Sequence, residues 1–307
     1  MALGVREKKI VFASKVSIGG NAFLSILKIV VGIIAGSLAV VADGIDSASD
    51  IVTSLITLYT AHVIARPPDK KYPYGYLKAD TIATKVLAFI IFFAGAQLAL
   101  ASVRKLFNEE ISVIPDTMAI YIIVISIIGK LLLSIYLRKV GKDVESAMLI
   151  ANARNMQNDV VISFSVLAGL IFTFVFKMPV IDVITALLVS IYIMFIAFQI
   201  FMQTNRDLMD GVDDEEIYRK IVDQVNCVDG ASNPHRIRVR KMAHLYLIAL
   251  DIEVDGKMPL DKAHELSAEV EKNIKQNIQN VYDVLVHVEP FGNCEIDEVF
   301  GISEEHL

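Results

Sequence analysis

Carboxylate and amide side chains recur at a four-residue spacing in two apolar stretches of the chain. Asp46 and Asp50 form one pair, and Asn155 and Asp159 repeat the spacing further along. Residues four apart lie on one face of a helix, so each pair presents two oxygen-bearing groups in the same direction. Asp43 precedes Asp46 by three residues and falls on much the same face. If the two helices face each other, these pairs predict one cation site with oxygen ligands.

The carboxylates of such a site would repel one another in the absence of a cation. The empty site would therefore tend to hold protons, and a bound metal ion would expel them. One set of residues could then bind either species, which is the minimum requirement for exchanging a metal ion against protons. A helix end wetted by solvent is the alternative interpretation, but apolar runs (GSLAVVA and IVTSLITLY) flank the acidic residues on both sides.

Six apolar windows position these pairs. A helix of about 20 apolar residues spans the hydrocarbon core, and the qualifying windows are residues 14–36, 38–64, 81–103, 116–137, 150–176 and 180–202. Hydrophobic residues make up 54% of the chain and charged residues 21%, a balance typical of a protein largely embedded in the bilayer. Lysine and arginine concentrate in the loops on the side of the termini, so both termini are predicted to be cytoplasmic. We predict a multi-pass protein of the plasma (inner) membrane.

The polar C-terminal part has the pattern of a small soluble domain. Helical periodicity in DDEEIYRKIVDQV is followed by two segments of alternating residues, HRIRVRKM and HLYLIALDIEV. A second helical pattern and the alternating segment VYDVLVHVEP complete the order αββαβ. The predicted fold is a membrane all-α six-helix bundle over residues 1–210 and a cytosolic α+β domain over 211–307, ferredoxin-like or metallochaperone-like.

Charge and cysteine content exclude several classes of protein. The segment from Gly211 onward carries 20 acidic against 10 basic residues, so it offers no basic surface for nucleic acid. Cys227 and Cys294 are the only cysteines and form no CxxC motif, which argues against a disulfide framework and suits a reducing compartment. No P-loop motif is visible, so an ion gradient is the expected energy source.

Several motifs together resemble the cation diffusion facilitator family. They are the six spans, DSASD in the second, the Asn155/Asp159 pair in the fifth, the loop PDKKYPYGYLKAD, LMDG after the sixth, and HVEP near the end. The resemblance implies a homodimer in the lipid bilayer that is not an enzyme. It implies export of divalent metal ions from the cytoplasm by alternating access, with protons as counter-substrate. Carried over by position, the transport site consists of Asp46, Asp50, Asn155 and Asp159.

The resemblance also implies metal ligands in the cytosolic domain. His235, His264 and His287 match ligand positions, Asp251 stands where a histidine is frequent, and Glu289 replaces a frequent aspartate. Imidazoles with carboxylates suit zinc and similar ions, although histidines on the surface of a small domain remain the alternative. Outside this set, Lys78 and Asp210 resemble the family's charge interlock between helix three and the end of helix six.

Two departures from the family pattern bear on the metal. Zinc-transporting relatives usually have histidine in place of Asn155, and an all-oxygen site favours Mn²⁺ over Zn²⁺, with Fe²⁺ or Co²⁺ as further possibilities. In the loop after helix two, Asp69 survives, but Tyr72 and Tyr76 occupy the histidine positions of an accessory metal site. Protonated phenols are poor ligands at neutral pH, so we predict that this accessory site is missing.

Other polar residues in the spans have an interfacial interpretation. Lys28, Lys85, Lys130 and Asp182 are expected to reach the membrane surface, where long side chains can place their charges in water.

Three other functions are alternatives to metal export. An intramembrane aspartyl protease would need an opposed pair of aspartates, and no GxGD stretch occurs. An exporter of organic cations would need aromatic residues at the site, yet tryptophan is absent. A metal-sensing membrane protein without transport stays open.

Overall fold

The computed structural model describes residues 5–64, 66–107, 114–144, 146–212, 215–242, 245–292 and 301–303. Six long helices come first: α1 (Val5–Ala35), α2 (Leu38–Ile64), α3 (Ala79–Phe107), α4 (Met118–Asp143), α5 (Ala147–Phe176) and α6 (Val180–Leu208). The elements that follow are α7 (Glu216–Asn226), β1 (Ser232–Met242), β2 (Leu245–Val254), α8 (Leu260–Asn277) and β3 (Val281–Pro290).

The six long helices form the helical transmembrane region. Within the described residues, α1, α3, α4, α5 and α6 are long and apolar enough to cross a membrane. The remaining helix, α2, is 27 residues long and carries Asp43, Asp46 and Asp50 within its apolar sequence. The predicted fold class is therefore confirmed, since a helical membrane region precedes a small domain with the order αββαβ.

Two antiparallel helical hairpins set the register of the membrane helices. The short link between α4 and α5 places Lys130, 14 residues before Val144, opposite Asp159, 13 residues after Ser146. Ser134 Oγ donates to the carbonyl of Ala153 at 2.9 Å and fixes this register. Because hairpin partners lie at equal distances from the turn, the chain itself determines which residues face each other.

The hairpin of α1 and α2 follows the same rule. Ser25 Oγ donates to the carbonyl of Gly44 at 2.8 Å. A Cβ at Gly44 would lie 2.6 Å from the side chain of Ile29 and 3.0 Å from its backbone nitrogen. Only glycine therefore permits this close approach of α2 to α1.

The chain divides into two compact units. One comprises Met1–His62 and Ala83–Phe201, and the other comprises Val63–Ile82 and Met202–Leu307. Residues 63–82 group with the second of these units, while the division into a membrane domain and a cytosolic domain at residues 210 and 211 stays a prediction. Each unit has its own buried apolar cluster.

The sheet of the second unit has the strand order β1-β2-β3. β1 and β2 are antiparallel, whereas β2 and β3 are parallel. Leu250 and Ile252 of β2 are buried together with Val270 and Ile274 of α8. Because side chains alternate across a strand, Asp251 points to the opposite face. There it lies in one row with His235 of β1 and His287 of β3.

Candidate functional site

The structure brings Asp46, Asp50 and Asp159 together across α2 and α5, and we call these three residues the membrane cluster. The carboxyl groups of Asp50 and Asp159 lie close enough to interact electrostatically, and Asp46 lies within electrostatic range of Asp159. Asp46 and Asp159 are half-buried, and Asp50 is exposed in the single chain. Asn155, one turn from Asp159, is also exposed and makes no hydrogen bond with the three carboxylates.

Lys130 of α4 lies beside the membrane cluster. Its Nζ donates to Asp159 Oδ2 at 2.8 Å, with the lysine side chain 1% exposed. The ammonium is also within electrostatic range of Asp46 and Asp50. The expectation that Lys130 reaches the membrane surface is therefore wrong. It sits at the middle of α4, about 18 Å from either end, which is too far for its four-carbon stem.

Asp43 belongs to a separate buried network. Lys28 Nζ lies 3.0 Å from Asp43 Oδ2 and donates to Ser47 Oγ at 2.7 Å. Ser163 Oγ of α5 donates to Asp43 at 2.8 Å. The side chains of Lys28 and Asp43 are 0% and 1% exposed, so the interfacial expectation for Lys28 is also wrong. The charges are buried because each has an opposite charge and hydrogen bonds as compensation.

Asp182 of α6 is buried and caps the start of α2. It accepts hydrogen bonds from Ser37 Oγ at 2.5 Å and from the backbone N–H of Leu38 at 3.0 Å. A carboxylate is favourable at a helix N-terminus, where backbone N–H groups lack partners. Asp182 lies near the start of α6 as expected, but its carboxylate is buried against α2 rather than placed in water. Lys85 lies over the ring of Phe201, with Nζ 5.1 Å from the ring centroid.

His235, Asp251 and Glu289 form a second cluster, which we call the C-terminal cluster. All three are buried, and one ligand atom from each lies within 4.8 Å of the others. Within the described residues no other three His, Cys, Asp or Glu side chains bring their ligand atoms as close together. The carboxylates of the membrane cluster are therefore more widely spaced than the ligand atoms of the C-terminal cluster. The cluster forms because the ladder of β1 and β2 pairs His235 with Asp251. It is a candidate metal site.

The hydrogen bonds of the C-terminal cluster suit a metal ion. His235 Nδ1 lies 2.7 Å from the carbonyl of Asn233, which can only accept, so Nδ1 carries a proton, and Nε2 faces Glu289 at 3.6 Å from its Oε2. Such a bond orients a ligating imidazole. Asp251 Oδ2 is buried and accepts no hydrogen bond. The Nη1 atom of Arg236 lies 2.9 Å from that oxygen, without the alignment of a hydrogen bond.

His287 and His264, the two other predicted ligands, lie at different distances from the C-terminal cluster. His287 Nε2 lies 3.3 Å from Glu289 Oε1, and the histidine is 63% exposed at the edge of the C-terminal cluster. His264 is exposed on α8. Because α8 packs against the core face of the sheet, the fold of this chain does not bring His264 to the cluster on the opposite face.

The predicted interlock residues are in contact. Lys78 Nζ lies 2.7 Å from Asp210 Oδ1, and Arg240 Nε donates to Asp210 Oδ2 at 2.8 Å. Asp210 thus binds two basic groups, and the sequence had suggested only one of them. Both pairs are partly exposed, so each contributes modestly to stability.

The loop after α2 uses the oxygens of Asp69 internally. Tyr76 Oη donates to Asp69 Oδ2 at 2.6 Å, and the backbone N–H groups of Lys71 and Tyr72 donate to Oδ1, each at 2.8 Å. The hydrogen bond from Tyr76 lowers the pKa of Asp69, and the same bond raises the pKa of Tyr76. The absence of the accessory metal site stays a prediction.

Sequence reasoning missed four residues that contact the two clusters or their surroundings: Lys28, Lys130, Ser163 and Arg236. A signal existed for Lys130, because a lysine at the middle of a span cannot reach water and must find a partner inside. Its distance from the turn between α4 and α5 also matches that of Asp159. No comparable signal existed for Arg236, whose contact depends on an irregular backbone with a φ of 48°.

Comparison with known proteins identifies the family. The cation efflux transmembrane domain matches residues 14–209, and the cytoplasmic domain of cation efflux proteins matches residues 214–291. The chain belongs to the cation diffusion facilitator family. This cation diffusion facilitator is accordingly a multi-pass membrane protein of a family that transports metal cations.

Two relatives match most of this facilitator, and one solved structure matches about a quarter of it. The manganese efflux system protein MneS of Bacillus subtilis (strain 168) is 27% identical over 277 residues, 90% of this chain and 93% of its own. MneP of the same organism, also a manganese efflux system protein, is 26% identical over 281 residues, 88% of this chain and 93% of its own. The metal-bound C-terminal domain of the CzcD transporter from Thermotoga maritima is 40% identical, covering 26% of this chain and 93% of its own, with a TM-score of 0.26.

Proposed function

We propose that this facilitator exports Mn²⁺ from the cytoplasm in preference to Zn²⁺, in exchange for protons. The supporting observation is the proximity of Asp46, Asp50 and Asp159 across α2 and α5. With Asn155 one turn away, every candidate ligand offers oxygen, and oxygen ligands suit Mn²⁺ better than they suit Zn²⁺. The two relatives that are manganese efflux system proteins support the same ion. Zn²⁺, Fe²⁺ and Co²⁺ are the competing substrates.

Proton exchange follows from the composition of the proposed transport site. Three neighbouring carboxylates that lose their metal ion need another positive charge, and protons from the outer side can supply it. Metal binding from the cytoplasm would then release protons in the opposite direction. Alternating access of the site to the two sides of the membrane would couple the two fluxes.

The remaining features fit a homodimer of the plasma (inner) membrane with both termini in the cytoplasm. Residues 1–210 form the transmembrane domain in this proposal, and residues 211–307 form the cytosolic metal-binding domain. The C-terminal cluster, with His287 at its edge, binds a divalent ion there. Exposed His264 is a ligand only if a second copy of the chain brings it to the cluster. Lys78 and Asp210 steady the dimer near the cytosolic side.

Transport by the purified full-length protein in proteoliposomes tests the proposal. A pH-sensitive dye inside the vesicles reports proton flux while Mn²⁺, Zn²⁺, Fe²⁺ and Co²⁺ are added separately. We expect the largest metal-dependent flux with Mn²⁺, and a shift of preference towards Zn²⁺ in Asn155→His, because an imidazole nitrogen favours zinc. An unchanged ion preference in Asn155→His would refute the argument from oxygen ligands.

A metal sensor without transport is the second candidate, and the buried C-terminal cluster is the observation that favours it. A sensor would bind metal at this cluster and yet give no metal-dependent proton flux. The proteoliposome assay therefore separates the two functions.

A further inference from the structure

We propose that Lys130 is an internal competitor for the transported metal: its ammonium occupies Asp159 when no metal is bound and leaves when Asp159 takes a metal ion. The proposal rests on the proposed function of the membrane cluster. It adds a residue from α4 that sets how tightly the site holds its ion and how readily it releases it.

The position of Lys130 is fixed by the fold. The hairpin of α4 and α5 places its ammonium 2.8 Å from Asp159 Oδ2, and the hydrogen bond from Ser134 to Ala153 holds the register one turn away. With 1% exposure, the lysine has no access to water as an alternative partner. Its ammonium is therefore part of the membrane cluster.

The metal ion and the ammonium would compete for the same oxygens. Lys130 lies within electrostatic range of Asp46 and Asp50 as well as Asp159, so a dication among these carboxylates would stand a few ångströms from Nζ. Like charges at that separation repel strongly in a poorly screened interior. Occupancy by the metal therefore requires the ammonium to withdraw, and its return helps to expel the ion.

Lys28 supplies an internal contrast. Its ammonium contacts Asp43 and donates to both Ser47 Oγ and the carbonyl of Asp43. Within the described residues, Lys130 makes one hydrogen bond, although an ammonium has three donors. Lys28 is thus held on several sides within a complete network, whereas Lys130 is held by a single bond to a candidate ligand. Of these two described lysines, Lys130 is the one that combines a single hydrogen bond with a position at the proposed transport site.

Calorimetric titration of full-length protein in detergent with Mn²⁺ tests the competition. All samples carry His235→Ala to weaken binding at the C-terminal cluster, and the comparison is between Lys130→Gln and a matched control, Lys85→Gln. We expect Lys130→Gln to bind Mn²⁺ at least about tenfold more tightly, equivalent to 1.4 kcal/mol, and Lys85→Gln to bind as the parent does. Equal or weaker binding by Lys130→Gln overturns the proposal, because a lysine that positions Asp159 for the metal would show that result.

A transport measurement separates competition from mere structural support. In proteoliposomes, Lys130→Gln should lower both KM and kcat for Mn²⁺, since the metal binds more tightly and leaves more slowly. A raised KM contradicts the competitor role. If the parent neither binds nor transports Mn²⁺, the proposed function fails and this inference with it. If the parent transports Mn²⁺ and Lys130→Gln binds no more tightly, only the inference fails.

A structure of the wild-type protein with Mn²⁺ bound gives a readout that needs no variant. We expect the distance from Lys130 Nζ to Asp159 Oδ2 to exceed about 4 Å, the limit of an ion-pair contact. Retention of the 2.8 Å contact beside a metal ion on Asp159 overturns the proposal, even where Lys130→Gln fails to fold.

Discussion

The membrane cluster and the C-terminal cluster each place an aspartate beside a basic side chain of the same chain, but they are held in different ways. The membrane carboxylates come from separate helices, are loosely gathered and include no histidine. The C-terminal ligands stand on neighbouring strands whose ladder fixes their spacing, and they converge within 4.8 Å. Helices can shift against one another, whereas strands joined by backbone hydrogen bonds cannot shift without losing them. The first arrangement suits capture and release of an ion, and the second suits retention.

The largest expected effect is on the membrane cluster. Asp159→Asn should reduce metal-dependent proton flux to that of empty vesicles, because it removes a candidate ligand. It also removes the one carboxylate in direct contact with buried Lys130 among the described residues, which should cost about 3–5 kcal/mol of unfolding free energy. Thermal unfolding of Asp159→Asn and of the double variant with Lys130→Gln checks this. The double variant should regain stability but not metal-dependent proton flux. If the double variant regained that flux, Asp159 would not be a metal ligand.

The contrast between Lys28 and Lys130 gives the second prediction. Lys28→Ala should destabilise the protein by about 3–5 kcal/mol, since it leaves the buried carboxylate of Asp43 uncompensated. Chemical denaturation in detergent measures the effect. The double variant Lys28→Met/Asp43→Asn should be more stable than Lys28→Ala alone. A fully stable Lys28→Ala would mean that Asp43 is satisfied in some other way.

At the C-terminal cluster, Arg236 is the counterpart of Lys130. Arg236→Gln should tighten Zn²⁺ binding about three- to tenfold, because the guanidinium beside Asp251 repels a metal ion at that carboxylate; tenfold corresponds to 1.4 kcal/mol. Titration of full-length protein that carries both Asp159→Asn and Lys130→Gln isolates this site. Arg238→Gln, an exposed residue of the same strand, is the matched control. Equal changes in both variants would point to overall charge rather than contact with Asp251.

The smallest effect concerns an exposed pair of the C-terminal domain. Lys275 Nζ lies 2.5 Å from Glu271 Oε1 and 2.9 Å from Asp283 Oδ1. These two hydrogen bonds raise the pKa of Lys275. The same contact with Lys275 lowers the pKa of Asp283. Because both groups are solvated, Lys275→Gln should cost no more than about 0.5 kcal/mol.

The pH dependence of this loss of stability follows from the directions of the two pKa shifts. A lowered pKa means that the contribution of Asp283 is present above its unfolded value, about 3.9, and is lost as the pH falls through the folded value. The raised pKa of Lys275 means that its contribution is present below the unfolded value and is lost as the pH rises through the folded one. The unfolding free energies of the wild type and of Lys275→Gln should therefore become equal at acidic pH. A difference that grows on acidification would contradict the pairing.

Much of the architecture could be predicted because it depends on local patterns. Hydropathy gives the membrane windows, and the switch between period 3.6 and period 2 gives αββαβ. The four-residue spacing also placed Asp46 and Asp50 on one face. These inferences need no knowledge of which element lies next to which.

The partners of the charged residues could be predicted less well, because they depend on neighbours that local patterns do not reveal. Lysines within spans were expected at the membrane surface, yet the pairing of helices in hairpins turns Lys28 and Lys130 inward. His264 matched a ligand position by resemblance, but the packing of α8 on the core face of the sheet keeps it from this chain's cluster. The contact of Arg236 with Asp251 depends on a backbone irregularity that alternation of residues does not encode.

The cap that Asp182 places on α2 constrains how the cluster can change its exposure. Two hydrogen bonds join the start of α2, the helix that carries Asp46 and Asp50, to Asp182 of α6. If α2 changes its tilt, either α6 moves with it or the two hydrogen bonds to Asp182 break. If the proposed alternating access takes place, its pivot lies outside this contact, so that α2 and α6 move together against the neighbouring helices.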